Sequence, residues 1–130
     1  MRIIALSIAL CTTTVLLAQD GRIYNADGSL KEVRWVEEGR LEFVKYHPNG
    51  SKMEQGAFAA GKPDGIWKQY NEEGTLVTRV RFDHGTRQGR ALLTSFDGSK
   101  QYRLRYANGQ LEHGAEFNGA GDMVAERDPQ

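Results

Sequence analysis

The sequence predicts an all-β chain, an elongated antiparallel single-layer sheet of repeated hairpins, and three observations carry that expectation. First, an aromatic-and-glycine unit returns in register. Gly50 to Gly74, Phe58 to Phe82, Gly61 to Gly85 and Gly65 to Gly89 are each 24 residues apart, and a fixed period of this size marks stacked supersecondary units. Second, Asp27-Gly28, Asn49-Gly50, Asp97-Gly98 and Asn108-Gly109 are strong hairpin signals, expected to place both residues at positive φ, with Glu73-Gly74 a poorer version. Third, the segments between turns alternate. Leu76, Thr78, Val80 and Phe82 share a face opposed by Val77, Arg79 and Arg81, and Lys100, Tyr102, Leu104 and Tyr106 share one opposed by Gln101, Arg103 and Arg105. No convincing helical apolar stripe competes.

The amino end reads differently. Met1-Arg2 is a basic start, Ile3 to Leu17 is an apolar run softened by Thr12-Thr13-Thr14, and Ala18 precedes the polar Gln19-Asp20-Gly21. That pattern predicts a secretory signal over residues 1–18, cut after Ala18, and a protein that is periplasmic or secreted. The run falls short of the roughly 20 apolar residues that span a bilayer. Cys11 is the only cysteine and follows the large Leu10, which disfavours acylation. The exported chain would then have no disulfide and no thiolate metal site.

Residues 19–125 form the expected repeat domain. Its first unit starts at Tyr24-Asn25-Ala26-Asp27-Gly28, with Trp35 and Gly39 slightly out of phase. The second and best runs from Tyr46 through Phe58, Gly61, Gly65 and Trp67 to Tyr70, and the third from Tyr70 through Phe82, Gly85 and Gly89 to Phe96. After Gly98 the phase blurs, and Tyr106-Ala107-Asn108-Gly109 with Phe117 reads as a degenerate closing unit. Residues 126–130 read as a loose tail.

Tyr46-His47-Pro48-Asn49-Gly50-Ser51-Lys52, Gly61-Lys62-Pro63-Asp64-Gly65-Ile66-Trp67-Lys68-Gln69-Tyr70 and Asn71-Glu72-Glu73-Gly74-Thr75-Leu76 resemble the bacterial MORN-repeat variant, a group labelled YwqK-type antitoxin. The match is good over residues 46–89, fair over 22–45 and poor beyond, where Gly89-Arg90-Ala91-Leu92-Leu93 lacks the tryptophan. The resemblance implies a twisted sheet of successive hairpins that works by protein interaction, with lipid contact and an antitoxin or immunity role as further implications.

Seventeen basic against 17 acidic residues give none of the basic excess of a nucleic-acid binder. Tyr46, Phe58, Trp67, Tyr70 and Phe82 are expected to form an aromatic ladder, since cross-strand aromatic pairs contribute about 0.5–1 kcal/mol each. Arg79, Arg81, Arg103 and Arg105 are the candidate partner-binding residues. On one face they would form a basic patch for an acidic protein or an anionic membrane surface, unless Glu112 and Glu116 neutralise it. His47, His84 and His113 lie apart, near turns, without the spacing of metal ligands. Ser51 and Ser99 lack a paired base, and the Gly61–Gly65 loop opens no helix and ends in no P-loop signature. No catalytic residue, metal site or cofactor is expected. The chain is expected to be an exported binding module for an unidentified protein partner; an immunity role toward a dedicated toxin and anionic-lipid binding are the alternatives.

Overall fold

The computed structural model describes residues 21–129; the expected export signal, its cut after Ala18 and Cys11 lie outside them. The strands are β1 (Arg22–Tyr24), β2 (Leu30–Glu37), β3 (Arg40–Tyr46), β4 (Lys52–Ala59), β5 (Lys62–Pro63), β6 (Gly65–Tyr70), β7 (Leu76–Asp83), β8 (Thr86–Arg87), β9 (Gly89–Thr94), β10 (Lys100–Ala107), β11 (Gln110–Asn118) and β12 (Met123–Arg127). All belong to one antiparallel sheet in chain order, with the short β5 and β8 pairing back onto β4 and β7. Elements contact one another substantially only as ladder neighbours, so the sheet is a single open layer. The expected meander is the observed fold. β12 runs through Arg127, so the ordered sheet takes in two residues that read as tail.

The two ends of the strands use different turn chemistry. At one end the connections are Glu38-Gly39, Ala60-Gly61, His84-Gly85 and Asn108-Gly109, and both residues of each pair have positive φ. These are the two-residue turns whose twist matches the strands they join. At the other end four loops are one residue longer, and the loop closed by Ser95 and Lys100 is two residues longer. The Gly28 amide donates to Asn25 O at 3.0 Å, and the Asn25 amide to Ser29 O at 2.8 Å; the same pair of bonds closes the loops ending at Gly50, Gly74 and Gly121. In these loops only the glycine is left-handed. Asp27-Gly28, Asn49-Gly50, Glu73-Gly74 and Asp97-Gly98 are therefore not pairs at positive φ. The Asp or Asn instead locks the loop from outside the backbone: Asn49 Oδ1 accepts the Ser51 amide at 2.9 Å, and Asp97 Oδ1 the Ser99 amide at 3.0 Å.

Successive hairpins are also tied to one another at their tips. Asp64 Oδ1 accepts the His84 amide at 3.0 Å, and Gln88 Oε1 the Asn108 amide at 2.8 Å, the same contact one repeat later. At the opposite end His47 Nε2 donates to Tyr70 O at 2.8 Å, and Asn49 Nδ2 to Glu72 O at 3.0 Å. Turns at positive φ leave amides that the strands cannot satisfy, and the neighbouring unit satisfies them. The period of the sequence is thus also the period of the stapling.

Candidate recognition surface

Cross-strand register divides the sheet into two faces with different chemistry. On one, Phe43, Phe58, Trp67 and Phe82 pack as a continuous cluster. The Trp67 ring lies 5.0 Å from Phe43, 5.1 Å from Phe58 and 5.8 Å from Phe82, centroid to centroid and edge-on to each, the arrangement that ring quadrupoles favour. Two details of sequence seat that indole. Gly56 lies opposite Phe43, and a Cβ there would stand 2.6 Å from the ring. The indole Nε1 also donates to Ala57 O at 3.1 Å, so its burial leaves no polar atom unpaired. Phe43 is only 4% exposed and anchors the cluster from β3. Phe58, Trp67 and Phe82 fall where the ladder was expected. Tyr46 and Tyr70, at strand ends beside the turns, make no ring–ring contact among the described residues, and Phe43 holds the place assigned to them.

The opposite face is basic in its C-terminal half. Arg79 faces Leu92 across β7 and β9, Leu92 faces Arg103, and Arg90 faces Arg105 across β9 and β10. Beyond them Arg105 faces His113 on β11. Side chains directly opposite one another project from the same face, so Arg79, Arg90, Arg103 and Arg105 surround Leu92. Together with Ala91, Leu104 and His113 they line a depression of about 340 Å³. Arg81 lies opposite Ile66, at the edge of this group, and its charge acts on Asp64 instead.

Each guanidinium has a distinct environment. Arg103 lies 4.1 Å above the Phe117 ring and donates through Nε to Gln101 Oε1 at 3.0 Å, which fixes its plane. Arg105 has Glu112 Oε2 at 3.7 Å from its Nε, an exposed pair of little energetic consequence. Arg79 and Arg90 make no ion pair among the described residues. Glu116, the other expected neutraliser, turns to the aromatic face and meets Lys100 at 3.0 Å. The far rim is acidic, where Glu126 and Asp128 on and after β12 hold His113 at 3.1 and 2.6 Å.

Arg90 and His113 joined the surface without being singled out in the sequence. The signal for Arg90 was there. The segment after Gly89 alternates Arg90, Leu92, Thr94 against Ala91, Leu93, but three consecutive apolar residues, Ala91 to Leu93, hid the alternation. His113 needed the bulge that shifts register between Arg105 and Tyr106, which nothing local announces.

A second polar group joins Asp64, Asp83 and His84, whose ligand atoms lie within 4.8 Å of one another. Its bonds are those of a cap. Asp64 Oδ1 takes the His84 amide, and Asp64 Oδ2 stands 3.5 Å from Arg40 Nε, whose Nη2 donates to Asp64 O at 2.7 Å. The His84 amide bond, chiefly, holds the Asp64 carboxyl below its ordinary value, aided by the charges of His84, Arg40 and Arg81. His84 is raised, first by its 2.7 Å bond to Asp83 and then by Asp64. Ser51 and Ser99 are likewise spent in their turns, Ser99 Oγ donating to Asp97 Oδ1 at 2.7 Å. That bond and the Ser99 amide, with Ser95, hold the Asp97 carboxyl down at about 2.

No family model matches the chain, and no curated protein is close enough to it to count as a relative.

Proposed function

We propose that this protein is a non-catalytic recognition module that binds a protein partner through the arginine face of its C-terminal repeats, working at the bacterial cell envelope after export. One observation carries the reading: four arginines from three strands converge around Leu92 in one depression, and two of them have no ion-pair partner among the described residues. Arginine offers a planar, permanently charged fork suited to carboxylate recognition. The aromatic cluster on the other face is occupied in holding the sheet, so the two faces divide structure from binding. The envelope setting rests on residues 1–18 and the binding mode also on the likeness to MORN-type repeats. An immunity role toward a dedicated toxin rests on that likeness alone.

Lipid binding is the reading that shares this surface. The carboxylates of Glu126 and Asp128 along one rim weigh against a planar anionic bilayer, which would have to approach them together with the arginines. The test is charge reversal, Arg79→Glu with Arg103→Glu, in a pull-down from envelope extract. The native chain should retain a partner that the reversed chain loses, most steeply at low salt because exposed charges are screened over about 8–10 Å near physiological ionic strength. Equal retention by both chains at every salt concentration would refute the reading.

A further inference from the structure

Arg90 and Arg105 stand directly opposite one another on adjacent strands and on the same face. Like charges in that position destabilise a sheet, and the native contacts do little to relieve it. Glu112 reaches only Arg105, at 3.7 Å, and Arg90 makes no ion pair among the described residues. Arg79 and Arg103 add two more charges diagonally from Arg90, either side of Leu92. A stabilised sheet would have placed a carboxylate at one of these sites. We infer that the Arg90–Arg105 pair is the centre of an oxyanion site whose ligand is an extended acidic segment of a protein partner, with carboxylates on alternate residues.

The spacing argues for that form. The charges lie in two rows, Arg79–Leu92–Arg103 and Arg90–Arg105, displaced by two residues along the strands. Two residues of extended chain advance about 6.6–6.8 Å, and a peptide lying along β9 and β10 carries its i and i+2 side chains at the same interval. One carboxylate then meets the Arg90–Arg105 pair and the next meets Arg103. Leu92, between Arg79 and Arg103 on the same face, gives the aliphatic stems of those two acidic side chains an apolar contact. Arg103 is already oriented by Phe117 and Gln101, so ordering it costs less on binding. The acidic rim at Glu126 and Asp128 closes the His113 side to a second negative charge and so sets the lateral limit of the segment. The ligand's chemistry rests on the arginine-face reading above, but its test does not require the partner to be known.

The experiment titrates 15N-labelled protein at low salt with three probes while the arginine Nε–Hε resonances are followed. These are the blocked peptide Ala-Glu-Leu-Glu-Ala, its neutral counterpart Ala-Gln-Leu-Gln-Ala, and phosphatidylglycerol vesicles. The acidic peptide should shift Arg79, Arg90, Arg103 and Arg105 saturably and bind at least about tenfold more tightly than the neutral one, since close charge pairs contribute more than that when partly desolvated. Arg90→Gln with Arg105→Gln should abolish the difference while the amide spectrum keeps its strand dispersion. Equal binding of both peptides, or shifts at other residues, would overturn the inference. Vesicles that move these resonances where the acidic peptide does not would overturn the peptide ligand and assign the basic face to lipid headgroups. Peptide binding together with unchanged partner retention by the Arg79→Glu, Arg103→Glu chain would instead separate this site from the proposed function.

Discussion

At Trp67 one side chain serves three contacts at once, edge-on to Phe43, Phe58 and Phe82 while bonding Ala57 O. Truncating Trp67 to Ala should cost about 3–5 kcal/mol, read as a lowered urea midpoint, whereas Arg103→Ala should cost about 1 kcal/mol or less, the scale of an exposed cation–π contact. Equal midpoints would show that the rings do not hold the sheet. Gly56→Ala is the sharper probe of the same geometry, because its Cβ would meet the rigid indole at 2.6 Å. It should cost about 1–3 kcal/mol as overpacking. Gly114→Ala meets only the mobile end of Leu104, at 3.1 Å, and should cost distinctly less. His84 supplies a pH signature. Its folded value is raised by Asp83 and Asp64, so its contribution is complete below the unfolded value of 6.5 and is lost as pH rises through the higher folded one. An NMR titration should place the His84 midpoint above 6.5, and Asp83→Asn should bring it down; an unmoved midpoint would remove Asp83 as the cause.

The hairpin is the scale at which the sequence was most and least legible. The 24-residue interval and the alternation around Val80 and Leu104 were enough to give the meander and its faces, because period-two patterning is a direct image of the pleat. Turn type was not legible. Asn-Gly and Asp-Gly mark turns wherever a left-handed residue and a side-chain acceptor are useful, so Asn49-Gly50 signals equally a two-residue turn or the last two places of a three-residue loop. Conversely Ala60-Gly61 and His84-Gly85 form two-residue turns with no asparagine to announce them, and the second is held by Asp64 and Pro63 of the neighbouring hairpin. The recognition surface was half legible: the four arginines singled out do share a face, but Arg81 falls aside and Arg90 takes its place, since only the pairing of β9 with β10 shows which charges meet. Ala60, with φ 50°, makes a prediction of its own. Ala60→Gly should raise the unfolding free energy by about 0.5–1 kcal/mol, as a residue freed from a left-handed conformation. A lowered midpoint would mean that the Ala60 methyl packs better than its conformation suggests.

At the scale of the whole molecule, a single-layer sheet with no enclosing second layer has no common core, so its stability is close to a sum over neighbouring hairpins. The aromatic cluster concentrates that sum between β3 and β7. Hydrogen exchange should therefore show the greatest protection in β4 and β6 and the least in β1 and β12, whose residues are exposed throughout. Uniform protection would contradict the additive picture. On the proposed reading the charged half of the sheet is kept for binding, and it is there that folding and recognition would pull in opposite directions. The most direct measurement is the urea midpoint of Arg90→Gln against the native chain at low and at high salt. If the arginine pair is kept for a ligand, the variant is at least as stable as the native chain at low salt, by up to about 1 kcal/mol for a like-charge pair relieved, and the difference fades as salt screens it. A variant less stable than the native chain at both salt concentrations would mean that the arginines hold the sheet together, and the face would lose its claim to recognition.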